Sequence, residues 1–339
     1  MYILQIRDRN NTKLAEFTSY TQFKFGKRLN DYGSAEIQIP MNHTAFHKLV
    51  SLRRNSVWIY RNNDLKWSGE LVMRDGEIDD KGAATIKVYA FDWLHRLKKR
   101  RTAETIRYDQ VDAGLILKDL IVRAQAEENG NMGITYGTIE ETMPRDREYH
   151  SDSLYDVALN LTNVINGFDF EITDNKVLNV KKRIGVDRSE NIVLTYGANI
   201  TRCRITEDYT EATNRAIVLG QAKDLTKLVR IDRNNYESQQ SIGLLEETLT
   251  DFDISDEQTY RDKGDAMNRK YAYPLISLDM QLLSGTPNIS QFGLGDWIRN
   301  KIDNGIYKFN ELYRIFEWEV TVNSNDQESL KLVIGRFTL

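Results

Sequence analysis

An internal repeat places the strongest constraint on the fold, because three short segments near the start of the chain return in the same order near its end. In each segment polar and apolar residues alternate, as in a strand with one buried face. A single match is weak evidence, but the shared order and approximate spacing predict two copies of one β-domain. The matching segments are SAEIQI at 34–39 and SLDMQL at 277–282, Trp58-Ile59 and Trp297-Ile298, and IKV at 86–88 and LKL at 330–332, which are followed by Phe91 and Phe337.

Residues 1–91 read as short strands separated by polar turns. Hairpin signals surround the turns at 8–11 and 61–64, and a further turn at 79–82 precedes an alternating segment. Pro40 ends the strand that begins at Ser34, because proline lacks the N–H that a sheet ladder needs. Many short strands with regular turns are typical of an antiparallel sandwich or barrel.

From about residue 105 the apolar residues recur at helical spacing, and a hairpin follows. Asp112 is the expected N-cap of the first helix, Gly130 lies beyond its end, and Gly167 follows the second helix. The sequence therefore predicts a compact α+β unit of two helices and a hairpin. Its apolar positions are Ala113, Leu117, Leu120, Ile121 and Ala124 in the first helix, Leu154, Val157, Ala158, Leu161 and Ile165 in the second, and Phe168, Phe170, Ile172, Leu178 and Val180 in the hairpin around Asp174-Asn175.

These patterns predict a mainly β fold with an α+β insertion, in which two similar antiparallel β-barrel domains accompany a helix-hairpin domain. The expected domains are a first β-barrel domain at 1–104, an α+β domain at 105–190 and a second β-barrel domain at 191–339. Strands are expected at 202–205 and 216–219. A polar helical insertion near 234–273, with a helix at 256–271, interrupts the last domain.

Charge and cysteine content exclude several classes of function. The net charge of −4, from 50 acidic and 46 basic residues, is too balanced for nucleic-acid or membrane binding by bulk electrostatics. With Cys203 as its single cysteine, the chain forms no internal disulfide and no cysteine-based zinc site. The N-terminal residues lack a signal peptide, and no apolar run approaches the ~18 residues of a membrane span. We therefore expect synthesis in the cytoplasm and no membrane insertion.

Two groups of residues resemble metal sites without completing one. On a helix, His43 and His47 would share a face, but no third ligand is evident and a plain surface turn is favoured. The stretch 251–255 resembles the start of a calcium loop, yet Asp256 stands where glycine is needed and Asp262 replaces the closing glutamate. A helix cap at Ser255 is the simpler interpretation. No metal, cofactor or catalytic residue is predicted, and Cys203 is expected to be a buried structural residue.

Two basic runs flank the predicted α+β unit. The first basic run is Lys98, Lys99, Arg100 and Arg101, and the second is Lys181, Lys182 and Arg183. Neither alternates with the aromatic residues that stack on bases, so a solvated surface is the default interpretation. If the unit is a true insertion, both runs converge at its junction. There they would form one patch that docks onto a protein partner.

Four segments carry a resemblance to a known family. They are SAEIQIP at 34–40, WIYRNNDLKWSGELVMRDGEID at 58–79, TIKVYAFDWLHRL at 85–97 and SLYDVALNLTNVINGFDFEITDNKVLNVKK at 153–182. In these segments the chain resembles the baseplate hub and tail-associated proteins of long-tailed phages and prophages. The resemblance implies two similar β-barrels with an inserted α+β domain, which agrees with the fold expected from the patterns.

The resemblance also implies a function. It suggests a structural hub subunit at the tail tip, a homotrimer whose six barrels match the six-fold tail tube, join it to the tip or central fibre and gate the channel. The implied partners are a distal tail ring or tube protein, a tip or fibre protein and the tape measure protein, and phage DNA passes without specific binding. The implied location is the tail tip of the virion.

Two other functions stay open at this point. Some relatives of this kind carry a peptidoglycan hydrolase or endopeptidase, although the chain shows no room for one after its last strand and we expect no enzyme. A carbohydrate-binding module for host recognition is the other alternative, since exposed tryptophans stack on sugars. The candidate aromatic residues are Trp58, Trp67, Trp297 and Trp318.

Overall fold

The computed structural model describes residues 1–40, 42–44, 55–78, 84–164, 166–221, 228–251, 257–273, 275–283 and 287–335. The helices, labelled α1 to α4, are Ala113–Ala126, Leu154–Thr162, Tyr236–Ile242 and Glu257–Tyr271, and a 3₁₀ helix spans Trp93–Lys99. The strands, labelled β1 to β21 in chain order, are Tyr2–Arg7, Lys13–Phe17, Gln22–Arg28, Ser34–Pro40, Ser56–Arg61, Asp64–Ile78, Ala84–Asp92, Ile106–Asp112, Thr135–Ile139, Pro144–Tyr149, Asp169–Ile172, Val177–Lys181, Val193–Thr195, Ile200–Asp208, Arg215–Gln221, Leu228–Asn234, Glu246–Thr250, Leu275–Leu282, Trp297–Asp303, Lys308–Asn323 and Glu328–Gly335.

Two sets of strands pair in the same order. In the first β-unit, which comprises β1 to β7, the order is β3-β4-β7-β6-β5. In the second β-unit, which comprises β13, β14 and β18 to β21, the order is β14-β18-β21-β20-β19. Every pair within these two paths is antiparallel. The mainly β fold is therefore confirmed, and the repeat predicted from the sequence is a repeat of topology.

The register of the strands confirms most of the repeat. Ile37 lies opposite Val88, and Met280 lies opposite Leu332, as the aligned segments require. Both units also have a β-bulge at the equivalent place, between Leu71 and Met73 in β6 and between Ile315 and Glu317 in β20. A shared irregularity at one position indicates that the two units are built on the same template.

The expected match between the two tryptophans holds for the strands but not for the register. Trp58 lies opposite Ser68, whereas Trp297 lies opposite Arg314, two positions further along the ladder. Core packing sets this register. Val57 and Ile298, which occupy equivalent positions, are both fully buried. Phe337 and the turn at 79–82 lie outside the described residues.

Strand β3 of the first β-unit pairs with β20 of the second and joins both into one sheet of 13 strands. At this joint Phe23 lies opposite Val322 and Phe25 opposite Val320, and all four side chains are buried. Apolar residues of both units form one continuous core cluster. Within the described ranges, the pairing path runs from β14 to β2 and does not close on itself.

The insert between the two β-units, residues 106–181, has the predicted helices and hairpin. Helix α1 begins at Ala113, and the Asp112 carboxylate caps it by accepting hydrogen bonds from the backbone N–H groups of Gly114 and Leu115. The apolar positions predicted for α1, α2 and the β11–β12 hairpin are buried, apart from Ile165, which lies outside the described residues. Strands β8, β9 and β10 were not predicted from the sequence.

A second, smaller insertion lies between β14 and β18. It contains a three-stranded sheet in the order β16-β15-β17, together with α3 and α4. The predicted helix at 256–271 corresponds to α4, and Tyr260 from this helix packs over Gly220 of β15. The predicted strand at 216–219 is part of this small sheet, so it pairs with no strand of the second β-unit. The domain boundaries given above stay predictions.

Candidate assembly surfaces

The candidate metal ligands do not assemble into a site in the described part of the chain. There, no cluster of three or more His, Cys, Asp or Glu side chains could hold a metal ion. The His43 ring lies 2.9 Å from the hydroxyl of Ser19 and packs edge-on against Phe17. The Asp251 carboxylate forms an ion pair with Lys263. His47 and residues 253, 255 and 256 lie outside the described residues. None of the helices in the described ranges is both long enough and apolar enough to cross a membrane.

Three of the four tryptophans considered for sugar stacking are buried. Trp58 is 6% exposed, Trp67 is fully buried and Trp318 is 7% exposed, so none presents a ring face to solvent. Trp58 packs with Trp93 in the core of the insert, while Trp67 donates from its indole to the carbonyl oxygen of Gly26. These three side chains stabilise the core and cannot serve as the aromatic platform that carbohydrate modules use, whereas Trp297 is partly exposed at the start of β19.

Cys203 lies on β14, with its side chain towards the core. The residue is half-buried rather than buried, because β14 is the last strand of the sheet path and no strand covers its outer side. Burial, aided by the nearby negative charge of Asp279, raises the pKa of the Cys203 thiol to about 11. The thiol is therefore protonated at neutral pH, which is the opposite of what a nucleophilic cysteine requires.

Two members of the first basic run are engaged within the protein. The Lys98 ammonium donates to the Tyr32 hydroxyl at 3.1 Å and lies over the ring of Tyr155 at 4.7 Å. The Arg100 guanidinium donates to the backbone carbonyls of Ala124 and Gly130 and pairs with Glu127. Arg100 thereby supplies hydrogen bonds to the C-terminal end of α1. Lys99 and Arg101 are exposed.

The second basic run follows β12. Lys182 and Arg183 are exposed, and the Arg183 guanidinium donates to the carbonyl oxygen of Gly167 at 3.2 Å. Partial burial of the guanidinium lowers the pKa of Arg183. The first run lies at the start of α2, because the Arg100 carbonyl accepts from the Leu154 N–H, whereas Gly167 lies beyond the end of that helix. Nine helical residues span about 13 Å, so the runs lie at opposite ends of α2.

The insert is fixed to both β-units by carboxylates at the two ends of β11. At the β11–β12 turn, Asp174 accepts from the Lys27 ammonium at 2.7 Å and from the Ser68 N–H at 2.9 Å. At the start of β11, the buried Asp169 carboxylate pairs with the guanidinium of Arg314 in β20. Asp169 also accepts from the side chain of Asn30 at 2.9 Å. These bonds hold the insert where the first and second β-units meet.

Several strand edges of the sheet have no partner strand in the described structure, among them those of β2 and β13, which each pair with one strand. Two others belong to segments that have an equivalent in the other β-unit. The distal half of β6, Val72–Ile78, pairs with β7 on one side only, and β14 pairs only with β18. These two segments are the counterparts of the distal half of β20 and of β3, which pair with each other within the chain. The open edge of β6 exposes apolar side chains, since Met73 is 51% and Ile78 is 71% exposed.

The face of the sheet opposite the core is polar, and its charges alternate in sign. Lys24 and Glu36 form an ion pair at 3.3 Å in the first β-unit, and Lys331 and Asp279 form one at 3.0 Å in the second. Because acidic and basic side chains are neighbours across the strands, this face presents no extended field of one sign.

Comparison with known proteins gives this geometry a context. The Siphovirus ReqiPepy6 Gp37-like protein family matches residues 3–113. The tail protein from Neisseria meningitidis MC58 superposes with a TM-score of 0.70 at 12% identity, over 99% of this chain and 96% of that chain. The fold is that of prophage tail proteins. The resemblance predicted from the sequence is thus confirmed.

Two further prophage proteins share this tail-protein fold. The 43 kDa tail protein of prophage MuSo2 from Shewanella oneidensis has a TM-score of 0.69 at 10% identity, over 98% of this chain and 97% of that chain. The prophage tail protein gp18 from Listeria monocytogenes EGD-e has a TM-score of 0.65 at 12% identity, over 99% and 94%. No curated protein matches the sequence. At these identities the likeness establishes the fold.

Proposed function

We propose that the chain is a structural subunit of a phage or phage-like tail, and that three copies form a hub ring at the tail tip. The observation that carries the proposal is the pair of β-units with one strand order, joined side by side by β3 and β20. Three such chains present six similar units around one axis. A trimer can therefore match a six-fold tail tube on one side and a three-fold tip or fibre on the other.

The strand count gives the size of the ring. Each copy contributes eight consecutive strands, in the order β14-β18-β21-β20-β3-β4-β7-β6, so three copies supply 24. At about 4.8 Å between strands, a closed sheet of this size has a circumference of roughly 115 Å and a diameter of roughly 37 Å, which strand tilt increases. Barrels of about 16 strands already enclose an aqueous channel, so this ring leaves an open passage.

The polar face of the sheet is suited to line that passage. A channel for DNA must avoid clusters of basic side chains, because several phosphate contacts make binding strong and salt-dependent. Here the basic residues Lys24 and Lys331 are each matched by an acidic neighbour. DNA would thus pass without specific binding, as the balanced net charge also suggests.

The remaining surfaces serve partners in the tail. We assign the exposed members of the two basic runs, Lys99, Arg101, Lys182 and Arg183, to docking on acidic surfaces of neighbouring tail proteins, such as the tube, tip or tape measure protein. Because the runs lie at opposite ends of α2, they form two contact points rather than one patch. Charges of this kind set orientation and association rate more than affinity. The proposed location is the tail tip of the virion, and the proposed role is structural, without catalysis.

Light scattering on the purified protein over a range of concentrations tests the oligomeric part of this proposal. The expected mass is three times that of the 39.4 kDa chain. A particle that stays monomeric at the highest soluble concentration would contradict the proposal. A hexamer would do the same, because it would present twelve β-units.

A further inference from the structure

We infer that the open edge of β6 pairs with the open edge of β14 in the next copy of the chain, in the register of the joint between β20 and β3. The inference rests on the proposed ring and names the surface that closes it. Each copy has one edge of each kind, so the contact is head-to-tail and propagates around an axis. Pairing also covers two strand edges that would otherwise invite aggregation.

The internal repeat fixes the register on the β14 side. Lys24 of β3 lies opposite Glu36, and Arg204 of β14 lies opposite Asp279, in equivalent ladders. Lys24 of β3 and Arg204 of β14 therefore occupy equivalent positions. Neither ladder has a register shift beside these residues, so their neighbours along the two strands are equivalent as well. It follows that Phe23 corresponds to Cys203.

The shared bulge fixes the register on the β6 side. Beyond it, Arg74 lies opposite Val88 and Trp318 lies opposite Leu332. Arg74 and Trp318 therefore occupy equivalent positions. Four residues further along their strands, Ile78 of β6 is equivalent to Val322 of β20. Since Val322 lies opposite Phe23 within the chain, Ile78 should lie opposite Cys203 of the next copy.

The same register brings opposite charges together at two positions. Arg74 would face Glu207, and Glu77 would face Arg204. The equivalent positions of the joint within the chain are Lys27 with Trp318 and Lys24 with Thr321, which carry no such pairs. Opposite charges directly across a ladder contribute roughly 0.2–1 kcal/mol each, whereas like charges are destabilising. These two pairs of opposite charge therefore favour the inferred register between the β6 and β14 edges.

Burial supports the same pairing. At the joint within the chain, Phe23, Phe25 and Val322 are at most 1% exposed. Their counterparts at the open edges are not covered, since Cys203 and Ile205 are half-buried and Ile78 is 71% exposed. A partner strand in the inferred register would cover these side chains and extend the apolar core across the subunit boundary.

Disulfide crosslinking tests this register directly. Cys203 is the only cysteine of the chain, so a second cysteine introduced on β6 has one possible partner of the native sequence. Residues directly opposite each other in a ladder have Cβ atoms about 4.5–5.5 Å apart, close to the 3.5–4.5 Å of a disulfide, whereas diagonal neighbours are about 7–8 Å apart. The Ile78→Cys variant should therefore crosslink to Cys203 of the next copy under mild oxidation. We expect covalent dimers and trimers on a denaturing, non-reducing gel.

Glu77→Cys is the matched control, since its side chain lies on the other face of β6 and should give little crosslinking. A second pair tests the same register independently: Gly76→Cys with Ile205→Cys in a Cys203→Ser background. A side chain at position 76 meets nothing within 4 Å, so this variant should fold.

The outcomes separate the inference from the proposed function. Crosslinking of both pairs, with little in the control, supports the joint and its register. The inference is overturned, but the proposed ring is not, if light scattering shows a trimer and neither cysteine pair crosslinks. The same holds if Glu77→Cys crosslinks as readily as the two pairs. A monomer without crosslinks overturns both.

Discussion

The ion pair between Asp169 and Arg314 should be the most costly single contact to break at the junction of the insert and the β-units. Their side chains are 3% and 5% exposed. Arg314 also donates to the carbonyl oxygens of Ile184 at 2.7 Å and Gly295 at 3.1 Å, and Asp169 accepts from the Ile184 N–H at 2.8 Å. These backbone groups form hydrogen bonds with the two side chains but carry no net charge, so they do not replace the opposite charge that each side chain finds in the other.

The substitution Asp169→Asn keeps the shape of the side chain and removes its charge, so the guanidinium stays buried without a counterion. Breaking a buried pair in this way costs about 3–5 kcal/mol in the free energy of unfolding. Arg314→Met should cost a similar amount, because it leaves a buried carboxylate. The double variant should lose about 2–3 kcal/mol less than the sum of the two, since neither charge is then left alone.

Urea unfolding at one fixed protein concentration measures these values, because assembly also contributes to apparent stability. Asp109→Asn provides the control. Its pair with Arg107 is 64% and 55% exposed, and its loss should cost less than about 1 kcal/mol. The role given to this pair would be refuted if each single variant, at 169 and at 314, lost less free energy of unfolding than the control. It would also be refuted if the loss in the double variant equalled the sum of the two single losses.

Three other predictions concern backbone packing, docking and catalysis. Gly185→Ala should destabilise the protein by more than about 2 kcal/mol in urea unfolding, because φ is +97° and the new Cβ would lie 2.1 Å from the carbonyl carbon of Gly295. Gly197→Ala, where φ is +82° and nothing lies within 4 Å, should cost only about 1 kcal/mol. Reversing the exposed charges of both basic runs should leave the trimer intact and weaken co-assembly with neighbouring tail proteins in a pull-down assay; unchanged co-assembly would remove the docking role. Peptidoglycan and protein substrates should survive incubation with the pure protein, and turnover abolished by a single carboxylate substitution would overturn the structural role.

Alternation of polar and apolar residues made the β-units predictable. The segments at 34–39 and 277–282 each bury one face, so their register follows from which residues are apolar. Matching the two tryptophans predicted a register that is wrong by two positions, because large aromatic residues stand out in a sequence whether or not they occupy equivalent positions. In the structure, Val57 and Ile298 occupy the equivalent core positions instead.

Strand β10, which buries charged side chains, was not predicted from the sequence. In β10, residues Arg145, Asp146 and Arg147 are all at most 3% exposed, and Arg145 pairs with Asp262 of α4 at 2.9 Å. Such a strand has no apolar face, so its periodicity resembles that of a loop. The partner of Arg145 lies more than a hundred residues away in α4, a separation that local patterns do not reveal.

The candidate assembly edges could not be read from the sequence either. Whether a strand has a neighbour on one side or two depends on pairing between distant segments, as between β3 and β20. Ile78 and Cys203 look ordinary in the sequence. Their significance follows from the open edges on which they lie and from the equivalent residues Val322 and Phe23, which are covered within the chain.

Single-particle electron microscopy of the purified oligomer can show the proposed ring itself. We expect a closed ring of three chains around an open channel, with an inner wall that repeats six times and an outer surface that repeats three times. Strand pairing should be continuous across each subunit boundary. A two-fold dimer, or a ring whose β-units do not alternate between the first and second kind, would rule out the proposed hub.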